Sequence, residues 1–315
     1  MNILLLGANG QLGRSFLEQG GLASRGTLIA ATRDGQRFDG GPAEVVDLSQ
    51  PETLPALLDR LRPALIVNAA AYTAVDRAEN EEALATRVNG EAVGVLGKWA
   101  AIHDALVVHY STDYIFSGSA TAPYPTDAPT APLAAYGRSK LVGEHALQQS
   151  GASYLLFRTA WVYAAHGHNF LRTMLRLAAE REEIRIVADQ HGSPTDTLLI
   201  VQATLAALDT WLEAGPARRT QLNGPHHLVA SGYTTWHGFA GAIMQQAHAR
   251  GLIARMPRLI PISTAEFPTP AHRPAWSVLD NTGFQQQFSY PLPDWQDGLQ
   301  HTIEALSVLD FHKTC

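Results

Sequence analysis

A short apolar run, NILLLG (residues 2–7), feeds directly into the loop GANGQLG (residues 7–13). A strand that gives way to a helix within a few residues needs glycine at the bend and wherever helix and sheet touch. Gly7 permits the tight turn. Gly10 lets a pyrophosphate approach the backbone, and Gly13 lets the following helix pack closely on the sheet, its free N–H groups facing the phosphates. With Asn9, Gln11 and Leu12, these glycines form the candidate cofactor-binding loop. The spacing is G-x-x-G-x-x-G and not the G-x-G-x-x-G of the standard fingerprint, so packing alone competes as an explanation. Position favours the dinucleotide: the turn lies in the first strand–helix unit, where that mechanism requires it.

The alternation continues. Apolar runs recur at TLIAATR, EVVDL, ALIVNAAA, LVVHYSTDYIF and SYLLFRTAWVY, with helically spaced stretches between most of them. One of these, residues 80–105, repeats Leu84, Val88, Val95 and Trp99 at helical intervals. Continuous apolar strands alternating with helices predict the α/β class: a doubly wound parallel sheet with helices on both faces. Residues 117–132 carry four prolines and predict an irregular loop. Beyond residue 160 the pattern is less regular. NFLRTMLRLAAEREE, DTLLIVQATLAALDTWLEAG and PDWQDGLQHTIEALSVL predict helices, and PISTAEFPTPAHRPAW a loop. The division is residues 1–160 as the dinucleotide-binding domain and 161–315 as a smaller C-terminal α/β domain, a pattern that also accommodates repeated crossings between the two.

The second strand ends in Thr32-Arg33-Asp34. An acidic residue there grips the 2′-hydroxyl of NAD, and an arginine favours the 2′-phosphate of NADP. Arg33 therefore points to NADPH, while Asp34 leaves NADH open. Asp47 and Leu48 close the third strand, where they border an adenine. Ala69, Ala70 and Ala71 end the fourth, where small side chains leave room for a flat cofactor.

The chain uses 20 arginines and only three lysines, yet one of the three, Lys140, follows Tyr136 by four residues. On a helix the two share a face. A tyrosine hydroxyl has an ordinary pKa of about 10, and a nearby ammonium lowers it. Lysine suits that task as a compact charge on a flexible stem that also reaches a cofactor ribose. Chance would give roughly 0.1 such pairs in this composition, so the motif is weak alone. Its placement after the strand bearing Ser111, Thr112 and Asp113 strengthens it, because ligands in open α/β sheets bind beyond the carboxyl ends of strands. Thr112 can donate to a substrate carbonyl; the plainer reading of STD is a turn held by its own side chains.

Apolar residues make up 46% and charged residues 17%, enough for a sizeable core. A net charge of −6 without a basic stripe argues against a nucleic-acid partner. The single cysteine, Cys315, has no partner for an intrachain disulfide, which fits a reducing compartment. The opening apolar run is too short for a signal peptide, and no run approaches about 18 apolar residues. The expectation is a cytoplasmic protein without a membrane partner. Among 13 histidines, His166 and His168 (HGHN) and His226 and His227 (HH) lack a metal-binding helical pair and read as ordinary loop or surface residues. Trp99 and Trp211 read as core, and Arg181–Glu183 as a solvated helix end.

Taken together, GANGQLG, NAAAYTAVDRAE, STDYIFSG, YGRSK and PTPAHRP resemble the extended short-chain dehydrogenase/reductases, from residue 2 to about residue 310. RTAWVYAAHGHNFLRTML, DQHGSPT and PTPAHRPAWSVLDN resemble one family within them, the dTDP-4-dehydrorhamnose reductases. The resemblance implies a Rossmann-type domain and a C-terminal nucleotide-sugar domain. It implies NADPH-dependent reduction of the 4-keto group of dTDP-6-deoxy-L-lyxo-4-hexulose, the last step to dTDP-L-rhamnose, in the service of carbohydrate and lipopolysaccharide biosynthesis. Thr112, Tyr136 and Lys140 would be catalytic, with Tyr136 and Lys140 also at the cofactor. Thr112, Asp113, Tyr136, Trp161 and Arg273 would meet the dTDP-sugar, Arg273 near its diphosphate. Asn89 matches a position linked to the catalytic network. Some members join two subunits through magnesium held by glutamates. This chain has Arg14-Ser15 and Asp196-Thr197-Leu198 at those places, so no metal is expected, and a homodimer, if formed, would lack a metal bridge. The competing readings are an epimerase or dehydratase of the same superfamily, for which Tyr114 stands where a glutamate is wanted, and a non-catalytic regulatory subunit.

Overall fold

The computed structural model describes residues 1–311; Cys315 lies outside them. The first half runs β1 (Asn2–Leu6), α1 (Gln11–Gln19), β2 (Thr27–Thr32), β3 (Glu44–Val45), α2 (Leu54–Leu61), β4 (Leu65–Asn68), α3 (Val75–Ala78), α4 (Glu82–Thr86), α5 (Ala92–His103), β5 (Leu106–Thr112), α6 (Ala135–Gln148) and β6 (Ser153–Thr159). The second runs β7 (Val162–Tyr163), α7 (Phe170–Glu180), β8 (Glu183–Val187), β9 (His191–Gly192), β10 (Thr195–Asp196), α8 (Thr197–Glu213), α9 (Pro216–Leu222), β11 (Gly224–His227), β12 (Thr234–Thr235), α10 (Trp236–Ala249), β13 (Arg258–Ile262), α11 (Thr282–Phe288) and α12 (Trp295–Phe311).

Seven strands form one parallel sheet in the order β11-β6-β5-β4-β1-β2-β3. The order reverses between β1 and β4, which opens a crevice at their carboxyl ends. Alternate residues of β1 show why the strands read as unbroken apolar runs. Ile3 and Leu5 join one core with Phe16 of α1 and with α8, while Leu4 and Leu6 join another with α2 and α5. Both faces are covered, so both side-chain sets are apolar.

The last strand of that sheet, β11, comes from far beyond residue 160, and α8 packs on α1, with Ser15 Oγ donating to Thr197 Oγ1 at 2.7 Å. The rest of the second half builds its own layer: β8 and β13 pair in parallel against α10, and α7 packs on α10.

Several expectations need correction. EVVDL contributes only Glu44–Val45 as strand. The helix over 80–105 is interrupted by a π turn at Arg87–Glu91. That turn shifts the buried face, so Leu84 is exposed, while Ala92, Val93 and Leu96 join Trp99 in the core. Arg181–Glu183 is not a helix end alone, since Glu183 begins β8. His226 and His227 are neither loop nor surface: both are buried in β11.

Candidate active site

At the nucleotide end, Gly7 has φ +77°, and a Cβ there would lie 2.7 Å from the Ala70 backbone; one on Gly13 would lie 2.1 Å from Gly7 O. Only glycine fits either place. Gly10 caps α1 without a side-chain acceptor. Arg14 N–H returns to Gly10 O, and among the described residues the N–H groups of Gln11, Leu12 and Gly13 have no partner in the chain. Three free donors at a helix start, with no side chain in the way, fit a pyrophosphate. Ala69, Ala70 and Ala71 border this loop, half-buried.

Asn9 turns the other way. It donates to Gln36 O at 2.8 Å and accepts from Phe38 N–H at 2.9 Å, pinning the segment after β2 onto the glycine loop. Asp34 is spent on its own turn, accepting from Thr32 Oγ1 and Gln36 N–H, and these bonds lower its pKa. Arg33 is exposed and makes no hydrogen bond among the described residues. Asp47 feels its charge and accepts from Ser49 N–H, and Leu48 is buried beside it. An available cation next to an occupied carboxylate fits a 2′-phosphate better than a bare 2′-hydroxyl.

The chemical end lies where β5 meets α6. Thr112 ends β5 and works as the turn residue: it accepts from Tyr114 N–H at 3.2 Å and gives its proton to Asp113 Oδ1 at 3.0 Å. Asp113 is 2% exposed and its Oδ2 has no partner. Burial pushes its pKa up to about 6, against the pull of Ser277 and Thr112. Tyr136 stands edge-on to Tyr114, ring centres 5.7 Å apart. Burial raises the Tyr136 pKa to about 12, with the Thr112 hydroxyl pulling it down. Lys140, expected beside that hydroxyl, is held by β5 here. Its Nζ donates instead to Tyr110 O at 2.5 Å and stands 3.4 Å from His109 Nε2. Lys140 is 2% exposed, and burial lowers its pKa to about 8.

Asn89 sits in the π turn and clamps this end together. It accepts from Tyr72 N–H at 2.8 Å and donates to Tyr72 O and to Ser139 Oγ, while Ser139 Oγ donates to Tyr136 O at 2.7 Å. Glu144, one turn beyond Lys140, is buried with Arg158 of β6 in a two-pronged ion pair, and Arg158 also donates to Thr126 O in the proline-rich loop. Neither Glu144 nor Arg158 is marked by a sequence motif; only their burial reveals them.

The second half supplies a wall. Trp161 is held at φ +48°, uncommon for a residue with a side chain. Its ring stacks on Trp236 at 3.5 Å, and Trp236 Nε1 donates to the buried Gln190. Arg273, expected at a diphosphate, has its guanidinium on Asp76 of α3, with bonds of 3.0 and 2.9 Å, and also donates to Thr269 Oγ1. Gln11 is gripped from the second half as well: Asn169 Nδ2 donates to its Oε1, and His166 Nε2 meets its carbonyl at 3.0 Å. These long-range bonds were invisible in the sequence, where no local pattern marks them. Ser15 donates to Thr197, and Asp196 caps α8.

Comparison with known proteins agrees with this geometry. The family model described as RmlD substrate binding domain matches residues 1–308. A dTDP-4-dehydrorhamnose reductase of Burkholderia thailandensis is 46% identical over 298 residues, 94% of this chain and 96% of that protein. A solved dTDP-4-dehydrorhamnose reductase of Clostridium acetobutylicum is 31% identical with a TM-score of 0.85, covering 97% of this chain and 99% of that one. One of Bacillus anthracis, in complex with NADP, is 30% identical with a TM-score of 0.82, covering 96% and 99%. A glycine cradle at the first strand–helix turn and agreement along nearly the whole chain thus converge, and this protein belongs to the dTDP-4-dehydrorhamnose reductase family.

Proposed function

We propose that this protein reduces the 4-keto group of dTDP-6-deoxy-L-lyxo-4-hexulose with NADPH, giving dTDP-L-rhamnose. The observation that carries the reading is the placement of Tyr136 of α6 against Tyr114, just beyond Thr112 at the carboxyl end of β5, in a chain whose α1 leaves a phosphate-sized set of N–H groups free among the described residues. Gly7, Gly10, Gly13 and the N–H groups of α1 would hold the pyrophosphate, with Arg33 at the 2′-phosphate and Asp47 and Leu48 at the adenine. The bound nicotinamide supplies the hydride.

The chain's own residues do the rest. A tyrosine kept protonated by burial is the right form for an acid that gives a proton to a developing alkoxide. Thr112 has one proton to give, and here Asp113 holds it. A carbonyl oxygen draws that proton away, which links carbonyl polarisation to Asp113. Trp161 and Asp113 border the sugar. Arg273, already paired, braces the segment around residues 269–273 against α3 and presents a guanidinium shared with Asp76. Residues 161–196 and 231–281 serve the sugar, and β11 and α8 serve the nucleotide-binding sheet. No helix among the described residues is long and apolar enough to cross a membrane.

The test mixes the purified protein with NADPH or NADH and the L-lyxo keto sugar and follows absorbance at 340 nm. Cofactor oxidation that requires this sugar, is absent with its epimer at C3 and C5, and collapses in Tyr136→Phe is the expected result. Retained cofactor binding without oxidation would overturn the reading in favour of a regulatory role.

A further inference from the structure

His109 lies in the middle of β5, fully buried, and has no place in the mechanism above. Its ring joins a chain of four groups. Ala70 N–H donates to Asn68 Oδ1 at 3.3 Å, Asn68 Nδ2 faces His109 Nδ1 at 3.2 Å, and His109 Nε2 faces Lys140 Nζ at 3.4 Å. The first group is a backbone N–H, which can only donate. Asn68 must therefore present its oxygen to Ala70 and its amide nitrogen to the histidine. A neutral imidazole carries one N–H. With Nδ1 accepting from Asn68, that proton sits on Nε2 and points at Lys140. The last group must then accept, and an ammonium has no lone pair. Either tautomer of His109 or a turned Asn68 merely moves the donor–donor clash along the chain. Only a neutral amine at Lys140 removes it, with Nζ accepting from His109 and still donating to Tyr110 O.

We propose that His109 is a positioning residue for Lys140, and that the Asn68–His109 chain favours the neutral amine of Lys140 over the ammonium until ligand binding offers its nitrogen new acceptors. This deepens the reductase reading and names a control on it: an ammonium at Lys140 would strengthen Tyr136 as an acid, and an occupied site would favour that form. Burial acts in the same direction, lowering both Lys140 and His109. The opposing group is Glu144, which favours the ammonium from the next turn of α6 but is itself held by Arg158 of β6. Around α6, Glu82 of α4 pairs with Arg138, and Arg87 and Glu91 of the π turn pair with each other. Lys98 of α5 faces solvent, and Asp113 follows β5 beside Tyr136.

The chain has only three lysines, so their titration can be followed one by one in protein labelled with 13C-lysine. The Lys140 resonance is assigned by its loss in Lys140→Met. The measurement needs neither cofactor nor sugar, so its outcome is independent of the reductase assay. In the native protein Lys140 should titrate near pH 8. Asn68→Asp gives the chain two acceptor oxygens, so His109 takes its proton on Nδ1 and offers Nε2 to an ammonium. His109→Gln offers Lys140 an amide oxygen. Either variant, if folded by circular dichroism, should move the Lys140 midpoint up by about one pH unit or more. A merely structural role for His109 would lower thermal stability and leave that midpoint in place. Native Lys140 titrating near the usual value of about 10.4, or a midpoint unmoved in a folded variant, would overturn the proposal.

Discussion

The two ends of the crevice treat charge in opposite ways. Where β5 meets α6, Asp113, Lys140, Glu144 and Arg158 are nearly sealed from water, and Asp113, Lys140 and Tyr136 have pKa values of about 6, 8 and 12. Beyond β2, Arg33 and Asp34 are exposed, and Asp34 is shifted mainly by hydrogen bonds within its own turn. A desolvated site magnifies each charge and suits proton transfer. A solvated one costs little to empty and suits recognition of a cofactor that must leave after each turnover. On the proposed reading, the same sheet separates chemistry from selection by how deeply its strand ends are buried.

Substitutions should split along that line. Tyr136→Phe removes the acid and should lower the reduction rate by about 10²–10⁴-fold, measured under saturating NADPH and sugar. Glu144→Gln leaves Arg158 buried without its partner and should cost about 3–5 kcal/mol in stability, measured by urea unfolding. A loss under about 1 kcal/mol would show that water reaches this end.

Asp113 gives a pH-dependent effect. Its folded pKa lies above its unfolded one, so the folded state binds the proton more tightly. That contribution is fully present below about pH 4 and is lost as the pH rises through about 6. Asp113→Asn should therefore stabilise the protein by roughly 3 kcal/mol at pH 8, with more than half of the gain gone at pH 4.5. A gain equal at both pH values would contradict a buried ionised carboxylate. The smallest effect belongs to the solvated end. Arg33→Ala should weaken NADPH binding roughly tenfold and leave NADH binding nearly unchanged, worth about 1.4 kcal/mol.

Local patterns carried the glycine turn, the six leading strands and the placement of Thr112 at the end of β5 with Tyr136 and Lys140 on the helix after it, because each follows from spacing within one strand–helix unit. The interruption at Arg87–Glu91 was hidden, since a π turn leaves the apolar spacing looking helical on either side. β11 was hidden because GPHH has none of the β-branched residues that mark strands, and it joins the sheet only through its neighbour β6. The bonds that fasten the site, Asp76 to Arg273 and Gln11 to Asn169, span 197 and 158 residues, and no local pattern joins the two partners of either. Helical spacing likewise places Lys140 on the face of Tyr136 but does not disclose that Tyr110 O and His109 hold the amine.

The separation of chemistry from selection is tested most directly by titrating Tyr136→Phe with NADPH while measuring its single-turnover reduction rate. A dissociation constant within about twofold of the native protein, beside a rate at least about a hundredfold lower, is the expected result. A dissociation constant that rises in step with the lost rate would place Tyr136 in cofactor binding and contradict the division between the two ends.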